Sequence, residues 1–314
     1  MGLRFVDLFC GAGLFTQGLK DAGLEHVVGV EIDRTAANSY RLNHGHVLCA
    51  DVRDVTEASF DFGVVDVLAA SCPCQSFSSI GQRKVGDDRD DLFREVARIA
   101  GSLRPKVVLL ENVAGLLTKR DSAGELILHR IHAMFMDVGY DLEWSLLNAV
   151  DFGVPQRRKR VFLQARLDGP VVWPEPQPGP PETIRARLSV PADVPDSAYW
   201  PPHRQAQLQA RAARATTGGF GRIRVLDWDE PSTCITASYH SNSGIYGCIF
   251  HPNEFGGVYR KLTVREVRKL FTLPETYILT GSEASQYRQL GNAVPCRLAE
   301  AIGRAVTAEF LLSS

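Results

Sequence analysis

The first thirty residues narrow the fold most. Arg4-Phe5-Val6-Asp7-Leu8-Phe9 is a short apolar-rich run, Cys10-Gly11-Ala12-Gly13 follows as a tight turn, and Leu14–Ala22 has helical periodicity stopped by Gly23. His26–Val30 is a second apolar run, ending at Glu31. A strand that turns through glycines into a helix and returns as another strand is the opening of a parallel sheet, because parallel neighbours need a crossover and the crossovers bury both faces. The alternation continues with a helix over Thr35–Leu42, strands over His46–Cys49 and Val64–Ala70, and a helix over Leu92–Leu103. A strand over Lys106–Leu110, a helix over Glu125–Val138 and strands over Asp141–Leu147 and Arg160–Arg166 complete it. The expected class is α/β, Rossmann-like, with a mixed, mostly parallel sheet.

Composition then shifts. Ten of the seventeen prolines fall between Pro170 and Pro202, too many for the interior of any element, so a domain boundary belongs there. From Arg185 to Arg224 the charges are mostly arginine, at 185, 187, 204, 211, 214, 222 and 224, against Asp193 and Asp196. That segment is either an anion-facing surface or a solvated helix face, and charge alone does not separate the two. Thr263–Phe271 and Arg297–Leu311 are again helical, so the chain is expected to return to the first domain. We expect a first domain over 1–174, a smaller one over 175–260, and a hinge and return over 261–314. The formal net charge is −1, so any nucleic-acid surface is local rather than global. No apolar run reaches the roughly 18 residues of a membrane helix, and no secretory leader is legible, so the chain is expected to be cytoplasmic, with no membrane partner. Seven cysteines, an odd number without a CxxC pair, are expected to be reduced thiols, and no second Cys or His pair completes a metal site beside Cys72 and Cys74.

Glycines between a strand and a helix allow backbone and ligand to approach closely. Glu31 lies about twenty residues after the turn, where a carboxylate can accept from both hydroxyls of a ribose. Asp51, after the next short strand, is placed for an adenine amino group or for a loop cap. Together they indicate an adenosine-containing cofactor. Ser71-Cys72-Pro73-Cys74-Gln75-Ser76-Phe77-Ser78 follows a buried strand, at the sheet edge where ligands bind in this architecture. Cys74 is a candidate nucleophile, whereas Cys72 has the character of an inert buried thiol.

The order Asp7-Leu8-Phe9-Cys10-Gly11-Ala12-Gly13, Pro73-Cys74-Gln75, Glu111-Asn112-Val113, Gln156-Arg157-Arg158-Lys159-Arg160 and Gln289-Leu290-Gly291-Asn292-Ala293-Val294 resembles the DNA (cytosine-5) methyltransferases of bacterial restriction–modification or phage type. The resemblance covers nearly all of the chain outside about 170–224. It implies a Rossmann-like S-adenosylmethionine-dependent methyltransferase domain with a smaller target-recognition domain, acting on a cytosine flipped out of double-stranded DNA. It further implies that Cys74 adds to carbon 6 of the base, Glu111 serves ring nitrogen 3, and Arg158, with Arg160 in support, holds the base carbonyl. Alternation along the strand after the basic run is expected to send Arg158 and Arg160 to one face. A buried Glu111 is expected to titrate above the usual carboxylate range.

For the cofactor the resemblance implies Phe9 on the adenine, Gly11 and Gly13 in the turn, and Glu31 on the ribose. Ile32 and Val52 flank the adenine, Asp51 meets its amino group, Pro73 and Leu92 line the rim, and Asn292 lies near the methionine end. For DNA it implies Gln75, Ser78, Arg83 and Lys84 on a basic loop that closes over the site, and Thr236 at the backbone beside the flipped nucleotide. A monomer is expected, with any cognate restriction endonuclease a separate chain. The chain departs from the family pattern at Leu14, where a second glycine is common, and at Ser71-Cys72 before the Pro-Cys. These departures leave open a substituted S-adenosylmethionine. A tRNA cytosine methyltransferase shares the scaffold, but the cysteine-phenylalanine-threonine element associated with that branch is absent here.

Overall fold

The structure, a computed structural model, describes residues 2–60, 63–73, 91–188, 194–195, 198–203, 205–206, 224–239, 246–251 and 257–312. The chain divides into two compact units: Met1–Asn148, Lys159–Glu175 and Leu298–Ser314 form the first, and Ala149–Arg158 and Pro176–Arg297 the second.

In the first unit, β1 (Arg4–Leu8), α1 (Leu14–Asp21), β2 (Glu25–Val30), α2 (Arg34–His44), β3 (Val47–Leu48) and β4 (Val67–Ala70) follow in order. Then come α3 (Asp91–Leu103), β5 (Val107–Val113), α4 (Ile127–Asp137) and β6 (Asp141–Asn148). The short β7 (Gln156–Arg157) belongs to the second unit, and β8 (Lys159–Arg166) to the first. The first unit carries a seven-stranded sheet in the order β3-β2-β1-β4-β5-β8-β6. The pairs from β3 to β5 are parallel, and β8 runs antiparallel between β5 and β6, giving the expected mixed, mostly parallel sheet.

β4 is a continuous buried Val-Leu-Ala-Ala run, as a strand covered on both faces must be. Along β1 the side chains alternate: Val6 and Leu8 join the core cluster of Val96, Ala100, Ile131 and Phe135 from α3 and α4, while Phe5 and Asp7 are buried but lie outside that cluster. On that other side Thr16 of α1 donates to Asp7, and Phe15 meets Phe162 of β8 edge-on.

In the second unit, α5 (Ile184–Arg187) precedes β9 (Arg224–Leu226), β10 (Ser232–Thr233), β11 (Tyr246–His251) and β12 (Val258–Lys261). α6 (Val264–Leu270) and α7 (Glu283–Asn292) follow, and α8 (Cys296–Leu312) leads back into the first unit. Among the described residues β10 pairs with β7, and β11 lies between β9 and β12. The expected domain bounds and the compact units cut the chain differently. Residues 149–158 join the second unit because β7 pairs with β10, and 261–297 do so because Arg260 of β12 forms a buried ion pair with Glu266 of α6 while Tyr287 of α7 donates to the Leu262 carbonyl. α7, N-capped by Ser282, was not among the expected helices.

Gly29 in β2 marks a close approach: a Cβ there would lie 2.5 Å from Cζ of Tyr40 in α2 and 2.7 Å from Cys10 Sγ. All three are buried, so the crowding cannot be relieved at the surface. Gly29→Ala is expected to lose about 1–3 kcal/mol of stability, read as a lowered midpoint in urea unfolding.

Candidate active site

The turn after β1 carries alternate left-handed residues, with φ of 54° at Phe9, 55° at Gly11 and 90° at Gly13. Glycine takes that conformation freely, but Phe9 holds it at a cost of about 1–2 kcal/mol. Such strain is tolerated where surroundings fix it, and here the Cys10 amide is held by the Val30 carbonyl and the Gly13 amide by the Cys10 carbonyl. Gly13 then caps α1 with no side-chain oxygen over the helix amides.

Glu31, at the end of β2, is fixed by two backbone amides, Gly11 N–H on Oε2 at 2.8 Å and Asp33 N–H on Oε1 at 2.7 Å. Each carboxylate oxygen retains a further acceptor position, the arrangement a vicinal diol requires. Burial raises its pKa, and the two amide bonds oppose the rise. The adjacent Ile32 is 65% exposed, an apolar side chain left facing outward beside a polar anchor. Val52 is buried, Leu92 half-buried and Pro73 exposed. Oriented carboxylate, strained aromatic turn and exposed isoleucine together fit an adenosine group. Asp51 caps the loop after β3. Its carboxylate takes the Arg53 guanidinium at 3.0 and 2.7 Å and the Arg53 amide at 3.0 Å, and of its two sequence-compatible roles it adopts the loop cap.

Behind the turn runs a polar chain that sequence reasoning did not find. Asp7 is fully buried and accepts from Thr16 Oγ1 at 2.6 Å; Thr16 meets the Tyr40 hydroxyl at 2.9 Å, and Tyr40 meets His26 Nε2 at 2.6 Å. His44 Nε2 meets the Gly13 carbonyl at 3.0 Å. Burial pushes Asp7 up to about 7, with the Thr16 bond opposing and the Glu31 charge adding, and draws His26 down to about 4 and His44 to about 3. Asp7 Oδ1 has no hydrogen-bond partner among the described residues.

The carboxyl ends of β4 and β5 hold a second group. Asn112 donates from Nδ2 to the Cys72 carbonyl at 3.2 Å, tying the start of the Pro73 loop to β5. Its signal in the sequence is an amide beside Glu111, near the end of a buried strand that begins as an apolar run, a position that demands a partner. The buried Cys72 thiol is pushed far above its ordinary value by desolvation, an inert sulfur. Glu111 is 5% exposed, and Arg160 Nε lies 2.9 Å from its Oε1. That approach is an ion pair rather than an aligned hydrogen bond, since Nε has no aligned hydrogen-bond partner among the described residues. Register explains the meeting: Glu111 opposes Phe162 across the β5–β8 ladder, and Arg160 lies two residues along on the same face. Cys74, Gln75, Ser78, Arg83 and Lys84 lie outside the described residues.

Arg158 departs from expectation. It and Arg160 were to share a face and a base, but the regular strand begins only at Lys159, and Arg158 belongs to the second unit. It is 0% exposed. Its Nη1 donates to the Ile235 carbonyl and its Nη2 to those of Gly291 and Ala293, each at 2.8 Å, with the guanidinium 5.2 Å from the Phe271 ring centre. Within the first unit Glu111 is paired with Arg160. Gln156, also buried and also unassigned from sequence, accepts from the Ile235 amide at 3.2 Å. In the same unit Thr236 is half-buried, its hydroxyl 3.1 Å from that of Ser238, and Asn292 is exposed at the end of α7.

Comparison with known proteins agrees along the whole chain. Residues 3–308 match the profile of the C-5 cytosine-specific DNA methylases. The chain is 33% identical over 319 residues to the Type II methyltransferase M.NgoMIV of Neisseria gonorrhoeae, covering 98% of this chain and 97% of that protein. It is 34% identical over 336 residues to the Type II methyltransferase M.Eco47II of Escherichia coli, covering 96% and 78%. In fold it resembles the Entamoeba histolytica methyltransferase EhMeth, with a TM-score of 0.79, 16% identity and 99% of each chain covered.

Asp7 yields a pH prediction. The folded protein binds this proton more tightly than the unfolded chain, so stability falls as pH rises from about 4 and the loss is complete above about 7. Urea unfolding at about pH 5 and about pH 8 should show the wild type losing on the order of a few kcal/mol more than Asp7→Asn over that interval. Parallel pH profiles for the two would contradict a buried, protonated Asp7.

Proposed function

The chain belongs to the C-5 cytosine-specific DNA methylase family, and from that membership we propose how its residues divide the work of the reaction. It is a DNA cytosine-5 methyltransferase, and S-adenosylmethionine is its cofactor.

Carbon 5 of cytosine is too weak a nucleophile to be methylated directly. Cys74, as thiolate, adds to carbon 6 of a base rotated out of the duplex and pushes electrons into the ring. The charge that develops toward nitrogen 3 and the carbonyl is met by Glu111, which holds or delivers a proton at nitrogen 3, and by Arg160, whose guanidinium orients that carboxyl and donates to the oxygen. Bound S-adenosylmethionine supplies the electrophilic methyl to carbon 5. The carbon-5 proton then leaves to a base, the carbon–sulfur bond breaks, and Cys74 departs as thiolate with aromaticity restored. The observation that carries this division is the buried Glu111–Arg160 pair, on a strand whose next residue, Asn112, holds the Cys72 carbonyl two residues before Cys74.

Glu31 takes the ribose hydroxyls and Phe9, Ile32 and Val52 the adenine, with Gly11 and Gly13 shaping the turn. Pro73 and Leu92 form the rim and Asn292 serves the methionine end. Gln75, Ser78, Arg83, Lys84 and Thr236 face DNA, and the segment from 175 to 260 selects the sequence. The relatives are Type II methyltransferases, which supports a modification enzyme, and we take its cognate endonuclease to be a separate chain and the enzyme to act as a monomer. No helix among the described residues is long and apolar enough to cross a membrane.

Transfer of label from methyl-labelled S-adenosylmethionine to mixed-sequence duplex DNA, with nucleoside analysis and site sequencing, is expected to give 5-methylcytosine at one short motif. Label appearing in RNA and not in DNA would overturn the assignment. Cys74→Ser should abolish transfer while cofactor binding survives; normal turnover in that variant would sink the covalent step. Glu31→Ala should weaken S-adenosylmethionine roughly tenfold or more with bare DNA affinity nearly unchanged, measured by titration calorimetry and gel shift. Equal weakening of both ligands would contradict the ribose role.

A further inference from the structure

We propose that Arg158 is a positioning residue that couples the DNA-facing segment at Thr236 to the cofactor-facing segment at Asn292, so that filling one site changes affinity at the other. This rests on the roles given to Thr236 and Asn292 above and adds the physical link between them.

The acceptors of the Arg158 guanidinium bracket the two residues. Nη1 holds the carbonyl of Ile235, immediately before Thr236, and lies 3.5 Å from Cys234 Sγ; Nη2 holds the carbonyls of Gly291 and Ala293, on either side of Asn292. A guanidinium is planar, so donors on its two nitrogens fix their acceptors relative to one another in a way a single ammonium cannot. The group is fully buried, where water does not compete for those carbonyls. The two carbonyls around Asn292 also end α7, and the cation there answers both the unpaired acceptors and the helix dipole.

An independent feature makes the same connection through backbone alone. At Gly291 a Cβ would lie 2.2 Å from the Ala237 nitrogen and 2.2 Å from the Thr236 carbonyl carbon. The end of α7 therefore rests directly on the backbone of 236–237, with no flexible side chain between to absorb a shift. A displacement of Thr236 on meeting a phosphate passes through this contact and through the arginine fork to Asn292. Sealed interiors transmit such shifts rather than dissipating them. Linkage requires the effect to be reciprocal.

The test uses S-adenosylhomocysteine, the unreactive product, titrated by calorimetry with and without a duplex carrying the site found by label transfer. In the wild type the duplex should change its affinity about fivefold or more. Arg158→Lys, checked for folding by circular dichroism and melting, should keep each separate affinity within about threefold and reduce the duplex effect to less than about twofold. An unchanged duplex effect, or loss of both affinities with their ratio preserved, would reduce Arg158 to a structural strut and overturn the proposal. So would a wild type in which the duplex has no effect.

If Arg158→Lys fails to fold, Thr236→Ala, Asn292→Ala and the double variant decide in the native background. Coupled residues should give a combined loss in kcat/KM clearly smaller than the product of the single losses, whereas multiplying losses would overturn the link. Single variants that leave DNA and S-adenosylhomocysteine affinities untouched would instead remove the assignments of Thr236 and Asn292, and the coupling with them.

Discussion

Parallel pairing of β2, β1, β4 and β5 is the constraint from which the first unit's chemistry follows. It places the carboxyl ends of these strands along one edge, and Glu31, the Phe9–Gly13 turn, Ser71–Pro73 and Glu111 all hang from that edge. The one strand that runs the other way serves the same end. Because β8 is antiparallel to β5, it begins where β5 finishes, and its second residue, Arg160, meets Glu111 there. An added parallel strand would have delivered its first residues to the opposite edge.

Each unit buries a carboxylate against a guanidinium, Glu111 with Arg160 in the first and Glu266 with Arg260 in the second. Such an arrangement is costly to desolvate and strongly disfavoured when one partner is removed. In the second, Arg158 uses peptide oxygens to fasten chain to chain, and Arg260 with Glu266 fastens a strand to a capped helix. The basic run at 157–160 thus splits at its midpoint, Arg158 holding peptide carbonyls of the second unit and Arg160 pairing with Glu111 in the first.

Much of the first unit was legible because its strands are contiguous apolar runs and its helices are amphipathic. β4 and α3 declare themselves by period alone. α7 did not: Glu-Ala-Ser-Gln-Tyr-Arg-Gln-Leu-Gly-Asn lacks an apolar stripe, and its burial comes from Tyr287, Gln289 and Leu290 finding partners in the second unit. Glu31 could be placed from spacing, since a carboxylate at the end of a second strand has few other uses. Asp51 allowed two readings, because a short side chain after a strand caps a turn as readily as it meets a ligand, and Arg53 two residues on completes the cap. The shared face expected for Arg158 and Arg160 assumed an unbroken strand. Alternation holds only within regular pairing, and that begins one residue later. The polar chain from Asp7 to His26 was hidden because its members lie up to 33 residues apart, and only the fold brings them together.

The place of α8 bears on how the protein is made. Its Gly303 rests against α1, where a Cβ would come within 2.7 Å of Ala22 and 3.2 Å of Leu19, and its Glu309 pairs with Arg166 of β8. On the ribosome, every strand of the large sheet is synthesised well over a hundred residues before this helix. Until α8 emerges, α1 presents an apolar flank to the cell, in company with a second unit that is itself being completed. Emerging chains in that condition are the natural clients of chaperones. The last helix is thus the latch on an early-built domain, and the time between them is a window of vulnerability written into the order of the gene.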